Sequence, residues 1–104
     1  MTNPADVNHS RFSVAQNDVI YDDGEFAVAF SIWDNSDPAV GIRWNHSQGG
    51  GGSKIGFPNS RSHPSWFILP ERIGVAVLTG LLSMAFPGRN ETQIRNALRQ
   101  LGSE

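Results

Sequence analysis

Between residues 42 and 72 four cations, Arg43, Lys54, Arg61 and Arg72, are opposed by Glu71 alone. Interleaved with them are Trp44, Phe57, Trp66 and Phe67, and His63 falls between Arg61 and Trp66. Basic side chains beside aromatic rings are what a single-stranded nucleic acid requires of a protein. The cations neutralise phosphates and the rings stack on bases, at about 1–3 kcal/mol per base. A protein-binding surface draws on the same arginine and aromatic types. The candidate binding residues are therefore Arg43, Trp44, Lys54, Phe57, Arg61, His63, Trp66 and Arg72.

Other chemistries find little footing. The chain has no cysteine, which removes disulfides, thiolate metal sites and cysteine nucleophiles. His9, His46 and His63 match no compact metal-ligand spacing. The glycine run in GGGGSKIG lacks the Gly-Lys-Ser order of a phosphate-binding loop and leads into a strand rather than a helix. There is no G-x-S-x-G elbow for a serine nucleophile. Asp22 and Asp23 are adjacent carboxylates, but in a tight turn, which is poor ground for tuned acid–base chemistry. The expectation is a non-enzymatic protein with no cofactor and no metal.

The net charge of −2 conceals an asymmetry. Residues 1–40 carry seven acids against Arg11, whereas residues 41–104 carry seven basic residues against three acids. Such a split suits a polarised surface with a partner on one side. The opening MTNPADVNHS is polar, unlike a secretory signal. Ile73 to Phe86, an uncharged run of 14 residues, is shorter than the roughly 20 needed to span a bilayer. A cytoplasmic protein without membrane contact is expected.

The elements that must position the candidates follow from periodicity. Residues 1–10 have none and are expected to be a flexible arm, with 11–104 a single domain. RFSVA and DVIYD alternate weakly, and Asp23-Gly24 suits a tight hairpin. In EFAVAFSIW, Phe26, Val28, Phe30 and Ile32 share a bulky face; Ala27, Ala29 and Ser31 share a small one, against which something can lie close. A turn through Asp34–Pro38 returns the chain into AVGIRWN, an antiparallel partner. There Val40, Ile42 and Trp44 alternate with Ala39, Gly41 and Arg43, which gives Trp44 a competing place in the core. Residues 46–62 form a long Gly-rich loop, the kind that is functional or disordered in a small domain.

Ser65–Leu69 is a further strand, and Pro70 with Glu71 opens a helix over about 70–85. That helix is apolar almost all round and must be covered on more than one side. Pro87-Gly88 ends it. Asn90 then caps a second helix over about 91–101, with Gln93 at the capping-box position and Gly102 as its stop. Its stripe of Ile94, Ala97, Leu98 and Leu101 is narrow, so a homodimer through Ile73 to Phe86 is expected to complete the cover.

The FAVAFSIW strand, the Val40–Asn45 strand and the passage FILPERIGVAVLTGLL resemble, in order and hydrophobic rhythm, the positive-cofactor-four type of transcriptional coactivator. The resemblance covers roughly Phe26 to Leu82. It implies a small dimeric single-stranded-DNA-binding domain of four strands followed by a helix. This chain departs from that pattern in its few strand lysines, its more apolar helix and its appended second helix.

The sequence thus predicts an α+β fold: an antiparallel meander of four or five strands followed by two C-terminal helices packed on one face. The predicted function is a small binding module for single-stranded nucleic acid through the basic and aromatic surface of residues 42–72. The alternative is a protein-interaction or inhibitor protein, of the mobile-element or phage type, acting through its acidic N-terminal half or its Gly-rich loop.

Overall fold

Residues 4, 7, 12, 14, 18–34, 37–45, 59, 60, 63, 64, 66–83 and 88–102 are described by a computed structural model, with backbone alone at 59, 60, 63 and 64. Three strands form the backbone of the sheet: β1 (Val19–Asp22), β2 (Phe26–Trp33) and β3 (Asp37–Trp44). Two residue pairs, β4 (Asn59–Ser60) and β5 (His63–Pro64), make a separate small ribbon. A short strand β6 (Phe67–Ile68) joins the main sheet beside β3, giving the antiparallel order β1-β2-β3-β6. The helices α1 (Glu71–Ser83) and α2 (Glu91–Gln100) follow. This is the expected α+β meander with two C-terminal helices.

Both hairpin turns use the chemistry their residues offer. Asp23 Oδ1 accepts from the backbone N–H groups of Glu25 and Phe26 at 2.9 and 2.8 Å, and Gly24 takes φ 93°, which costs glycine little. At the next turn Asp34 enters the left-handed region at φ 55°, and Trp33 pairs with Asp37 across it. The register of β1 shifts between Val19 and Tyr21. That irregularity puts Ile20 and Tyr21 in the same core although they are neighbours in sequence.

The sheet is covered on both faces. On the first, Val28 and Val40 pack with Ile20, Leu78, Leu81, Ile94, Ala97 and Leu98 under the two helices. Gly74 lets α1 come down onto β3: a Cβ there would stand 2.9 Å from Val40 Cγ2. On the second face Ala27 and Ala29 lie with Val7, Phe12, Val14 and Trp66. The small residues are needed there because Phe12 approaches closely; a Cβ on Gly41 would be 3.0 Å from its ring. Pro4 and Val7 are buried, so the loose arm expected over residues 1–10 does not hold at these two positions.

The outer edge of β1 is closed by the link between the helices. Asp22 N–H donates to the Gly88 carbonyl at 3.2 Å, and Asn90 N–H donates to the Ile20 carbonyl at 2.8 Å. An edge occupied in this way does not offer unpaired backbone groups to another strand. Gly88 reaches this position at φ 86°. Arg89 in the same link donates to the carbonyls of Leu81 and Leu82 at 3.2 and 2.6 Å, closing the end of α1. No helix among the described residues is long and apolar enough to cross a membrane.

Candidate interaction surface

The eight candidate residues separate. Arg43 and Trp66, the cation and the ring expected to touch a ligand, are 1% and 7% exposed. Arg43 lies opposite Ala27 on the second face of the sheet. Burial disfavours its charged form and lowers its pKa to about 10. Trp66 sits edge-on to Phe12 with ring centroids 6.2 Å apart, and its indole N–H donates to the Val7 carbonyl at 2.9 Å. Trp66 is part of the second core, and Arg43 is buried on the same face of the sheet. Lys54, Phe57 and Arg61 lie outside the described residues, as do residues 46–58 of the expected Gly-rich loop. His63 is placed by its backbone alone, in β5. Arg72 is exposed on the first turn of α1.

Trp44 remains, and its position is the reverse of a core residue's. It is 45% exposed, at the end of β3, on the helix-bearing face with Val40 and Ile42. Its partner across the sheet is Phe26, and the two rings meet edge to face at 4.9 Å. That contact braces the indole, while nearly half of the residue's surface stays exposed. Phe67, paired with Ile42 and so on the same face, is 56% exposed.

Beside Trp44 runs an open groove of about 450 Å³ between α1 and this end of the sheet. Its floor and walls are Phe26, Val28, Trp44, Ala76, Val77 and Leu81, with Gly80 adding no side chain to obstruct it. Ala76, Val77, Gly80 and Leu81 recur at the three- and four-residue spacing of one helical face. Ile73, one turn earlier, is 51% exposed. The second helix stands toward β1 and α1 stands over β3. One flank of the apolar helix is covered by α2, and the other is this groove.

The rim is acidic. Asp23 and Glu25 line the groove, and no cation does so among its described residues. Asp23 is held below the usual carboxylate range, first by the backbone N–H of Phe26 and then by those of Glu25 and the hydroxyl of Tyr21. Tyr21 donates to Asp23 Oδ2 at 2.8 Å. Burial, this hydrogen bond and the two neighbouring carboxylates raise its own pKa, so it stays a neutral donor. Asp22 Oδ1 accepts from Gly24 N–H at 2.9 Å and from the Asn45 amide at 3.1 Å. Asn45, buried at the end of β3, also donates its backbone N–H to the Glu25 carbonyl at 2.6 Å. Sequence reasoning named the acidic N-terminal half as a partner surface but did not place Asp23 and Glu25 beside Trp44, and it passed over the buried Asn45; the signal was their place at adjacent strand ends.

The described residues contain no group of three or more His, Asp or Glu side chains arranged to hold a metal. The chain matches no protein-family model, no curated protein and no solved structure.

Proposed function

We propose that this protein is a non-enzymatic binding module that docks a polypeptide in the groove between α1 and the Phe26–Trp44 end of the sheet. The observation that carries this reading is an exposed tryptophan, braced by Phe26, at the mouth of an apolar groove. Aromatic anchors in desolvated pockets contribute a large share of binding energy at protein interfaces. A ring already braced by a neighbour loses less freedom on docking.

Single-stranded nucleic acid, and with it the kinship to positive-cofactor-four proteins, is the less favoured reading. Two of its intended contacts, Arg43 and Trp66, are buried, and the charged residues among the described lining of the groove beside Trp44 are Asp23 and Glu25. Phosphates would be repelled there. The homodimer expected through α1 competes for the same surface, since a second copy covering Ile73 and Val77 would fill the groove.

The test is a selection of displayed peptides on the immobilised protein and on a Trp44→Ala/Val77→Glu variant, beside a titration with an oligothymidine strand at about 50 mM salt. Peptides retained by the native groove and lost on the variant are expected, with no saturable binding of the oligonucleotide. Oligonucleotide binding that weakens steeply with salt would return the surface to the nucleic-acid reading.

A further inference from the structure

We propose that the cleft at the other end of the sheet from Trp44 binds a small organic ammonium ion, an alkyl or aryl amine in its protonated form. The site is separate from the polypeptide groove and does not depend on it.

The cleft exists because β6 is shorter than β3. β6 pairs with Gly41 and Ile42, Leu69 N–H donates to the Val40 carbonyl at 2.9 Å, and Pro70 then leads the chain into α1. No described strand pairs with the outer side of Asp37, Pro38 and Ala39. The space left there, about 330 Å³, is bounded by Trp33 before the hairpin turn, by Leu69 and Glu71 at the joint of β6 with α1, and by Gln100 and Leu101 at the end of α2. That volume stands at the lower end of the range for small-molecule sites, about 300–1,000 Å³. Both cores contribute apolar wall: Trp33 packs against the second cluster, and Val40, Leu69 and Leu101 belong with the first.

Its polar groups ask for a positive donor. Asp37 and Glu71 are exposed at the cleft, and neither carboxylate has a hydrogen bond or ion pair with a described residue. The described lining holds no Lys or Arg, and Arg99 in the last turn of α2 is directed instead to Asn96 Oδ1 at 3.3 Å. Carbonyls alternate sides along an antiparallel strand, so that of Pro38 faces outward with that of Val40, and proline brings no N–H beside it. α2 ends against the cleft, with the negative pole of its dipole there, while Glu71 in the first turn of α1 offsets the positive pole of that helix. An ammonium group carries charge and donors with no acceptor, which matches this set; an anion is repelled by it. A peptide strand laid on this edge would lack a ladder bond at Pro38, so the occupant is a small molecule.

Phenethylamine, 2-phenylethanol and phenylacetate share a ring and differ in the end group. Each is titrated into the full chain at about 50 mM salt, with the three tryptophan indole N–H resonances followed by NMR. A saturable shift at Trp33 is expected with phenethylamine, at a Kd on the order of 1 mM, with the alcohol and the acid about tenfold weaker or more. Asp37→Asn/Glu71→Gln, which keeps both shapes, should weaken the amine about tenfold or more and leave the alcohol unchanged. Equal binding of amine and alcohol would overturn the proposal, as would amine binding that the double substitution leaves intact. A shift confined to Trp44 would place the amine in the other groove and overturn it too. No saturable shift up to about 20 mM amine would remove the site altogether.

Discussion

Two glycines six residues apart on α1 have opposite uses. Gly74 faces β3, where a methyl group would stand 2.9 and 3.1 Å from Val40 Cγ2 and Cβ. Gly80 opens on the groove, and a methyl there meets nothing within 4 Å. Gly74→Ala must lift the helix from the sheet and is expected to cost about 1–3 kcal/mol. Gly80→Ala replaces the poorer helix former without a clash and is expected to stabilise by about 0.5–1 kcal/mol. Urea unfolding of the two variants checks both signs at once; equal effects would mean that α1 does not sit on Val40 as described. Asp23 makes a pH-dependent contribution. Its folded-state pKa is lowered, so its stabilisation is complete above the ordinary carboxyl value of 3.8 and is lost as pH falls through the lower folded value. The stability gap between the native protein and Asp23→Ala should therefore be constant from pH 5 to 7 and close below about pH 3.8. A gap unchanged at pH 2 would show that the charge of Asp23 contributes nothing.

Elements were legible where local chemistry and periodicity agreed. The stop at Gly88, the cap at Asn90 and the Ile94–Leu98 stripe specify α2 from a dozen residues, and the helix found is Glu91–Gln100. Asn90 Oδ1 accepts from Gln93 N–H at 3.2 Å with φ −105°, a geometry outside the helix that a capping residue adopts. Asn90→Ala should cost about 1 kcal/mol, and Asn90→Ser should restore most of it. Thermal unfolding reads the difference as a fall in midpoint of about 4–8 °C. The backbone N–H of Asn90 holds Ile20 whatever its side chain, so the alanine variant should keep the edge of β1 closed and lose only the cap. The site was less legible for a reason that lies in the strands. Alternation shows that Arg43 and Trp44 point to opposite faces, but not which face is wet. Here both faces are covered, and the cover over Arg43's face includes Val7, from a stretch without period, and Phe12 and Val14, from one that alternates only weakly. The helix-bearing face runs out of cover at the sheet's end, which leaves Trp44 outside.

At the scale of the whole molecule, the sheet is a middle layer whose second cover comes from the far N-terminal stretch. Val7 is fully buried, and its carbonyl is the acceptor for the Trp66 indole 59 positions away. Trp66 in turn precedes β6, and Leu69 N–H, just after it, donates to the Val40 carbonyl at 2.9 Å beneath α1. A chain of contacts thus runs from the N-terminal stretch through β6 to the seat of the first helix. Removing residues 1–8 should take away about 1.5–3 kcal/mol of Val7 burial. It should also strand the Trp66 N–H, at about 1–3 kcal/mol more. If the segment were a loose arm, the truncated protein would unfold at the same urea concentration as the full chain. As a structural layer, its loss should lower the midpoint markedly and shift tryptophan emission to the red as Trp66 meets water. Trp66→Phe separates the two contributions, since it keeps the apolar contact with Phe12 and dispenses with the acceptor. In that background the truncation should cost less than in the native protein by roughly the worth of the buried hydrogen bond, about 1–3 kcal/mol. Equal costs in the two backgrounds would place the stabilisation in Val7's side chain alone.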